Sequence, residues 1–407
     1  MKNKDEEEPS YKVRIAWDSG LFSNYYQSHT VDRDAVYFYE RPPGYNQVNI
    51  YTLTRLDAET GRFKWRTPMF SDIVFCQPII IGNYVYVFIE TNIIICFNRE
   101  TGEHTATVKM KIENKDLGFR WNVNAYQQNL YFGFASGKDS FFVSVDVNLI
   151  NQNGDPEKIQ EITPEILWEP DTGCTVTAKA VVHNNIVYTS TYNYFAYYPV
   201  ELAGFDINTR QMVFYKTFGG PVDLADNIPY PETGGNLQSN PIFIHDNILY
   251  YLYRSINAWN LTTYEQLYRH IFTDDVPIEK RYMAGICLQP AFHNGKFYYT
   301  QSVSYEPNKW RNIHCIDAKT GELVWNDIAK DSETLDTNPI IAHGKLYVSQ
   351  HSGLRVYNPE TGKLIGVDSS FCGMGMGRNV LYNDYMICVR MNRDTGDGKL
   401  VAVYVGK

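Results

Sequence analysis

The chain repeats itself, and self-similarity at a fixed period limits a fold more than any other property of a sequence. One recurring unit reads as a hairpin. It is clearest at Gln77–Val87 (QPIIIGNYVYV), Asn240–Tyr251 (NPIFIHDNILYY), Gln289–Tyr299 (QPAFHNGKFYY) and Asn338–Val348 (NPIIAHGKLYV). Weaker copies stand at His29–Tyr39, Asn124–Gly133, Lys179–Thr189 and Arg378–Cys388. The copies lie roughly fifty residues apart, the period of propeller blades. In each, two short apolar runs flank a pair such as His-Gly, Asn-Gly, Gly-Asn or Asn-Asp. Gly and Asn tolerate the positive φ that tight hairpin turns demand. The Pro at the second position suits the first residue of a strand, where no ladder donor is needed.

A second unit follows the first. It appears at Leu56–Trp65, Cys96–Thr105, Phe205–Phe214, Trp259–Tyr268, Ile316–Trp325 and Tyr357–Gly366. A strand ends at Asp or Asn, whose side chain caps a turn, and Thr-Gly or its substitute then reverses the chain. The best copies close on Trp65 and Trp325. The third copy is stretched: one strand ends near Asp146, the next lies around Trp168, and a polar insert separates them.

The two hairpins together give four short antiparallel strands per repeat. Four-stranded sheets arranged radially make a β-propeller, and a Trp suits the contact between its blades. After Arg378 only a third strand remains, Lys399–Val405. Near the N-terminus, Tyr11–Ser19 carries Trp17 where a closing Trp belongs, with no hairpin ahead of it. The expectation is an all-β chain: an eight-bladed β-propeller of four-stranded antiparallel blades over residues 11–407, forming a single domain. Residues 11–19 complete the last blade as its outer strand. Residues 1–10 form a disordered acidic N-terminal tail.

A net charge of −9 argues against nucleic acid as a partner, because phosphate binding needs a basic surface. No run reaches the length of a membrane helix; Ile79–Ile95 is interrupted by Gly82, Asn83, Glu90 and Asn92. The segment after Met1 lacks the apolar middle of a secretory signal. The protein is therefore expected to be cytoplasmic if Met1 is the native start, or exported with its signal cut away. The seven cysteines include no C-x-x-C and no adjacent pair. Cys96 and Cys388 sit in apolar runs, as small buried hydrophobes do.

The D-A-x-T-G-x-x-x-W stretches at Asp57–Trp65 and Asp317–Trp325, with N-P-x-x-x-x-G-x-L-Y at Asn338–Tyr347, resemble the PQQ-like propeller repeat. That repeat occurs in quinoprotein alcohol dehydrogenases and in the barrel-assembly lipoprotein BamB. The resemblance spans nearly the whole chain, is strong also at Asn358–Lys363, and blurs at the third, fourth, fifth and eighth blades. It speaks for the fold, which hosts both enzymes and scaffolds. The dehydrogenases hold PQQ with a calcium ion, usually under an adjacent Cys pair, and use an Asp as base. With no such pair here, the expectation is no catalytic residue, no cofactor and no metal site.

Other motifs read better as architecture than as chemistry. Asn392–Gly398 places Asp394 and Asp397 near glycines, a calcium pattern without the distal Glu of a recognised loop, and reads better as a hairpin turn. Cys372–Gly377 (CGMGMG) offers soft ligands for copper but reads better as a glycine-rich loop leading into the last blade. His183, His245, His293 and His343 recur at the hairpin turn, which points to a turn role. No G-x-S-x-G, P-loop or H-E-x-x-H occurs. A site dispersed over several blades stays open.

Three long loops, Asn151–Glu165, Gly219–Gln238 and Glu40–Gln47, read equally as binding loops or as connectors, and Tyr-rich loops suit a protein partner or a glycan. Lys2–Ser10 resembles the acidic tract that follows the lipidated cysteine of surface-exported lipoproteins in some two-membrane bacteria. That implies a lipid anchor, supplied by no residue of this chain, as its membrane contact. The expected function is a non-catalytic extracytoplasmic scaffold for protein–protein interaction, a cell-envelope or cell-surface lipoprotein component of an outer-membrane assembly. The alternatives are a propeller that binds carbohydrate or another small ligand, and a divergent PQQ-dependent dehydrogenase.

Overall fold

Positive-φ turns set the hairpins. Arg33, Gly82, Gln127, Asn184 and Asn185, Asp246 and Asn247, Asn294 and Gly295, His343 and Gly344, and Asn383 all have φ between 46° and 71°. They stand where the sequence places the turn of each first hairpin. The pattern holds in a computed structural model that describes residues 9–23, 29–41, 50–71, 76–89, 92–112, 118–119, 123–136, 139–170, 175–176, 180–192, 200–218, 242–253, 255–271, 284–286, 289–305, 308–330, 338–350, 353–371, 379–391 and 398–406.

The strands form eight four-stranded antiparallel blades, a β-propeller. Blade 1 is Thr30–Asp32, Ala35–Glu40, Ile50–Asp57 and Phe63–Arg66. Blade 2 is Ile79–Ile81, Tyr84–Ile89, Ile93–Asn98 and His104–Met110. Blade 3 is Asn124–Tyr126, Asn129–Ser136, Asp139–Asp146 and Glu165–Trp168. Blade 4 is Val181–His183, Ile186–Tyr192, Val200–Asp206 and Met212–Phe218. Blade 5 is Ile242–His245, Ile248–Tyr253, Ser255–Asn260 and Gln266–Ile271. Blade 6 is Ala291–His293, Lys296–Tyr305, Asn308–Asp317 and Leu323–Lys330. Blade 7 is Ile340–Ala342, Lys345–Gln350, Gly353–Tyr357 and Leu364–Asp368. Blade 8 is Val380–Tyr382, Tyr385–Met391, Gly398–Tyr404 and, from the other end of the chain, Arg14–Ser23. Among the described residues the one helical turn is a 3₁₀ turn at Val147–Leu149.

The chain divides into two compact units. One comprises Met1–Val36, Leu56–Lys64 and Met283–Lys407, and so holds blades 6 to 8. The other comprises Tyr37–Arg55 and Trp65–Tyr282, and holds blades 2 to 5. Within each unit the core is a series of seams between neighbouring blades. Ile94, Cys96, Val108 and Met110 of blade 2 pack with Leu130, Phe132, Phe134 and Val143 of blade 3. Tyr298, Ile313 and Cys315 of blade 6 pack with Leu346, Val348 and Tyr357 of blade 7. A blade has two apolar faces and cannot bury either alone, so stacking supplies the burial.

The N-terminal strand closes blade 8 from the outside. Arg14 pairs with Tyr404, Ile15 with Val403, Trp17 with Ala402 and Asp18 with Val401, and after a bulge Phe22 pairs with Lys399 and Ser23 with Gly398. Tyr11, expected in this strand, lies ahead of it. Pro9–Tyr11 runs parallel to the outer strand of blade 7: the Tyr11 N–H donates to the Val367 carbonyl (2.9 Å) and the Val367 N–H to the Pro9 carbonyl (2.8 Å). The polar insert of blade 3 does the same. Gln160–Ile162 pairs in parallel with Val108–Met110, the outer strand of blade 2, before the chain turns into Glu165–Trp168. In both places a short strap staples an outer strand to the blade before it. The acidic tail 1–8 lies outside the described residues.

Candidate functional site

The polar residues of the second repeat unit are spent on its turn. The Asp317 carboxylate accepts from the N–H groups of Lys319 (2.9 Å) and Thr320 (2.8 Å), while the Gly321 N–H donates to the Asp317 carbonyl (2.9 Å). Asp57, Asn98, Asp206, Asn260 and Asn358 make the same turn. The Thr320 and Lys319 amides hold the Asp317 carboxyl below its ordinary pKa of 3.8. The folded pKa is depressed, so the stabilisation is full above the unfolded pKa and is lost as pH falls through the folded one. Asp317→Asn keeps the acceptor, as Asn98 and Asn358 do. Its denaturation midpoint is expected to fall less between pH 6 and pH 3 than that of the parent.

The same turns receive the aromatic residues of the preceding blade. The Trp65 indole N–H donates to the Arg99 carbonyl (3.1 Å), and the Tyr37 hydroxyl reaches that carbonyl at 3.5 Å. Trp325 and Tyr298 share the Pro359 carbonyl at 2.8 and 3.2 Å. Trp17 donates to the Ala58 carbonyl at 3.0 Å. Each indole lies flat on the turn glycine. A Cβ on Gly61, Gly102 or Gly362 would come within 2.8 Å of Trp17, Trp65 or Trp325. Burial raises the pKa of Tyr37 and of Tyr298, so both hydroxyls keep their protons and serve as donors. The Tyr of the first hairpin and the Trp of the second therefore form one device, a coupling that the sequence repeats show separately. Arg210 and Tyr264, at φ of 63° and 58°, replace the glycine in blades 4 and 5. Tyr264 meets Phe214 there, with ring centroids 5.5 Å apart.

Trp17 and Trp65 are buried, whereas Trp325 is half-buried. Trp325→Ala is accordingly expected to cost about 3 kcal/mol, the low end for removing a large aromatic side chain. Urea denaturation beside Trp65→Ala, which should cost more, checks the order.

Superposition on solved structures identifies this arrangement. A europium-containing methanol dehydrogenase matches with a TM-score of 0.64 at 12% identity, over 95% of this chain and 85% of that one. The quinohemoprotein alcohol dehydrogenase of Comamonas testosteroni matches with a TM-score of 0.63 at 12% identity, over 97% of this chain and 77% of that one. The fold is the PQQ-like β-propeller. BamB from Moraxella catarrhalis also matches, with a TM-score of 0.42 at 11% identity, over 96% of this chain and all of that one. At these identities the likeness is one of fold. No family model matches the sequence, and no curated protein matches it.

PQQ-like propellers include quinoproteins, so the donor set must be matched against a quinone and its calcium ion. Among the described residues no three His, Cys, Asp or Glu side chains converge as ligands. Cys96, Cys315 and Cys388 are buried inside strands, and burial pushes their thiols up to about 12, which leaves them protonated. The buried Glu40 carboxylate accepts from Thr54 (2.8 Å) and from both Nε (2.8 Å) and Nη2 (2.7 Å) of Arg66. The buried Glu201 accepts from the Tyr215 hydroxyl at 2.5 Å. Neither carboxylate joins a cluster that suits a hard cation, so the described donor set does not fit the group.

Two of the turn histidines, His183 and His343, reach the next blade. His183 Nε2 lies 3.0 Å from Asn247 Oδ1, and His343 Nε2 lies 2.7 Å from Asp384 Oδ1. The stretches 372–377 and 392–397, and the loops 219–238 and 42–47, lie outside the described residues. The loop 151–165 is an ordered strap: Thr105 donates to Gln152 (2.7 Å), Gln160 to the Asn151 carbonyl (2.9 Å), and Lys111 to Glu161 (3.1 Å).

What the described surface offers is its outer edge. The large exposed apolar side chains stand mostly on outer strands or straps: Phe63, Ile166, Met212, Val213, Leu267, Leu323, Val324 and Ile365 among them. Blade 4 carries the densest group. Met212 is 43% exposed, Val213 40% and Tyr215 43%, all within four residues.

Proposed function

We propose that this chain is a non-catalytic scaffold, one propeller domain over residues 11–407, that holds a protein partner. The observation that supports it is the division of labour among the residues. The acidic and aromatic groups of the repeats are committed to turns and blade seams, while apolar side chains stand exposed on outer strands. Exposed apolar side chains grouped on one element favour association with another protein. The partner belongs to an outer-membrane assembly, and the protein sits in the cell envelope or on the cell surface through a lipid anchor. The acidic tract Lys2–Ser10 supports that placement. No helix among the described residues is long and apolar enough to cross a membrane.

Affinity capture of the tagged full chain from detergent-solubilised membranes is expected to return a protein in fixed stoichiometry. Loss of that protein on dilution, with glycan-array binding in its place, would shift the reading to a carbohydrate-binding propeller. Dye reduction dependent on PQQ and calcium would make it an enzyme. A signal ending in a lipid-modified Cys ahead of Lys2 in the gene is the expected finding for the anchor.

A further inference from the structure

The chain holds two Asn-Gly pairs, Asn153-Gly154 and Asn294-Gly295. Such a pair can modify itself. The glycine nitrogen attacks the Asn side-chain carbonyl carbon, a succinimide ring closes, and ammonia leaves. Glycine favours this because, with no Cβ, its backbone approaches the carboxamide closely. Asn153 and Asn294 are both exposed, so the two pairs differ only in how the fold holds them.

Asn294 and Gly295 are the two loop residues of the first hairpin of blade 6. His293 and Lys296 pair on either side, and φ is 48° at Asn294 and 71° at Gly295. Two positive φ values in a two-residue loop make a type I′ turn. Closing a five-membered ring needs the Asn294 backbone to rotate out of that turn, which opens the ladder beside it. The Asn294 carboxamide is also engaged, donating through Nδ2 to Glu360 Oε1 (3.0 Å).

Asn153 lies in the strap of blade 3, in neither strand nor helix. The strap is anchored around it. Gln152 accepts from Thr105 (2.7 Å), and Gln160 clasps Asn151: the Asn151 N–H donates to Gln160 Oε1 and Gln160 Nε2 donates to the Asn151 carbonyl, both at 2.9 Å. The Asn153 N–H donates to Asn151 Oδ1 (3.2 Å). Among the described residues, none bonds the Asn153 carboxamide or the Gly154 N–H.

We propose that Asn153 is a site of self-modification, where the folded protein converts the carboxamide to aspartate and isoaspartate through a succinimide with Gly154, while Asn294 is protected. The Gly154 nitrogen loses its proton to hydroxide and bonds to Asn153 Cγ. The Cγ–Nδ2 bond breaks, and the nitrogen takes a proton from water and leaves as ammonia. Water then opens the ring. Cleavage at Cγ gives aspartate, and cleavage at the main-chain carbonyl gives isoaspartate, which routes the chain through Cβ. Either product adds a negative charge. Isoaspartate also lengthens by one carbon the loop that the Asn151–Gln160 clasp closes. The site is independent of the partner the propeller serves.

The test incubates the full-length protein at mildly alkaline pH, folded and in urea. Mass spectrometry with electron-transfer fragmentation follows both pairs and separates the two acids. The rate at Asn153 divided by the rate at Asn294 is expected to be at least about tenfold higher in the folded protein than in urea, since Asn294 reacts only when its hairpin opens. Isoaspartate is expected at position 153 beside aspartate. A ratio no higher in the folded protein than in urea overturns the site. So does an unchanged Asn153 in the folded protein while the urea-unfolded chain converts. Aspartate at 153 without isoaspartate overturns the succinimide route, and with it the role of Gly154.

Discussion

A chain lacking Tyr11–Ser19 is expected to lose its cooperative melt and to aggregate. The deletion takes away most of the closing strand of blade 8, including the pairs from Arg14–Tyr404 to Asp18–Val401. Val401, Ala402 and Val403, fully buried in the intact protein, would then lie on an open edge. Such an edge templates pairing with other chains. The deletion also removes Trp17, whose indole N–H is satisfied by the Ala58 carbonyl. Losing that side chain alone costs about 3–5 kcal/mol, a large part of the roughly 5–15 kcal/mol that holds a domain folded. The strap goes with it, since Tyr11 pairs with Val367 and Val13 donates to Asp368 (2.9 Å). Calorimetry and size-exclusion chromatography of the truncated chain check this. A melt like that of the full chain would falsify the closure.

The second expected result compares two glycines. Gly102 and Gly82 both have positive φ, +75° and +58°. A Cβ on Gly82 meets nothing within 4 Å, whereas one on Gly102 meets ring atoms of Trp65 at 2.8 Å. Gly82→Ala should therefore cost only the conformational penalty, about 1–2 kcal/mol. Gly102→Ala should cost that and a further ~1–3 kcal/mol, because the added methyl group lifts the indole from its seat and strains its bond to the Arg99 carbonyl. The difference in urea midpoint between the two variants isolates the indole contact. Equal costs would mean that the turn glycine serves only its backbone.

Much of the fold is legible in the repeat. Asn294-Gly295 and His343-Gly344 announce hairpin turns because few residues accept positive φ, so turn chemistry shows in composition. Asp317, Thr320 and Gly321 recur at fixed offsets from a strand pair, and that recurrence alone separates turn capping from an acidic site. The missing outer strand of blade 8 is legible because the last repeat is one strand short and the N-terminus one strand over. The straps are not legible. Gln160–Ile162 is too short and too polar to announce itself, and its partner, Val108–Met110, lies 52 residues earlier. Nothing local in either segment encodes their parallel pairing. The shared carbonyl of Tyr37 and Trp65 is hidden for the same reason, since its two donors and its acceptor come from three separate elements.

The sequence by itself determined the blades: their number, their strands, their turns, and the tie between the chain's two ends. These follow from interactions between residues close in the chain or from the count of repeats. Only the tertiary structure decided that Gln160–Ile162 and Pro9–Tyr11 run along the outer strands of blades 2 and 7. Edge pairing is made by backbone groups that every residue carries, so its partners are chosen by where the folded chain passes and not by which side chains it bears.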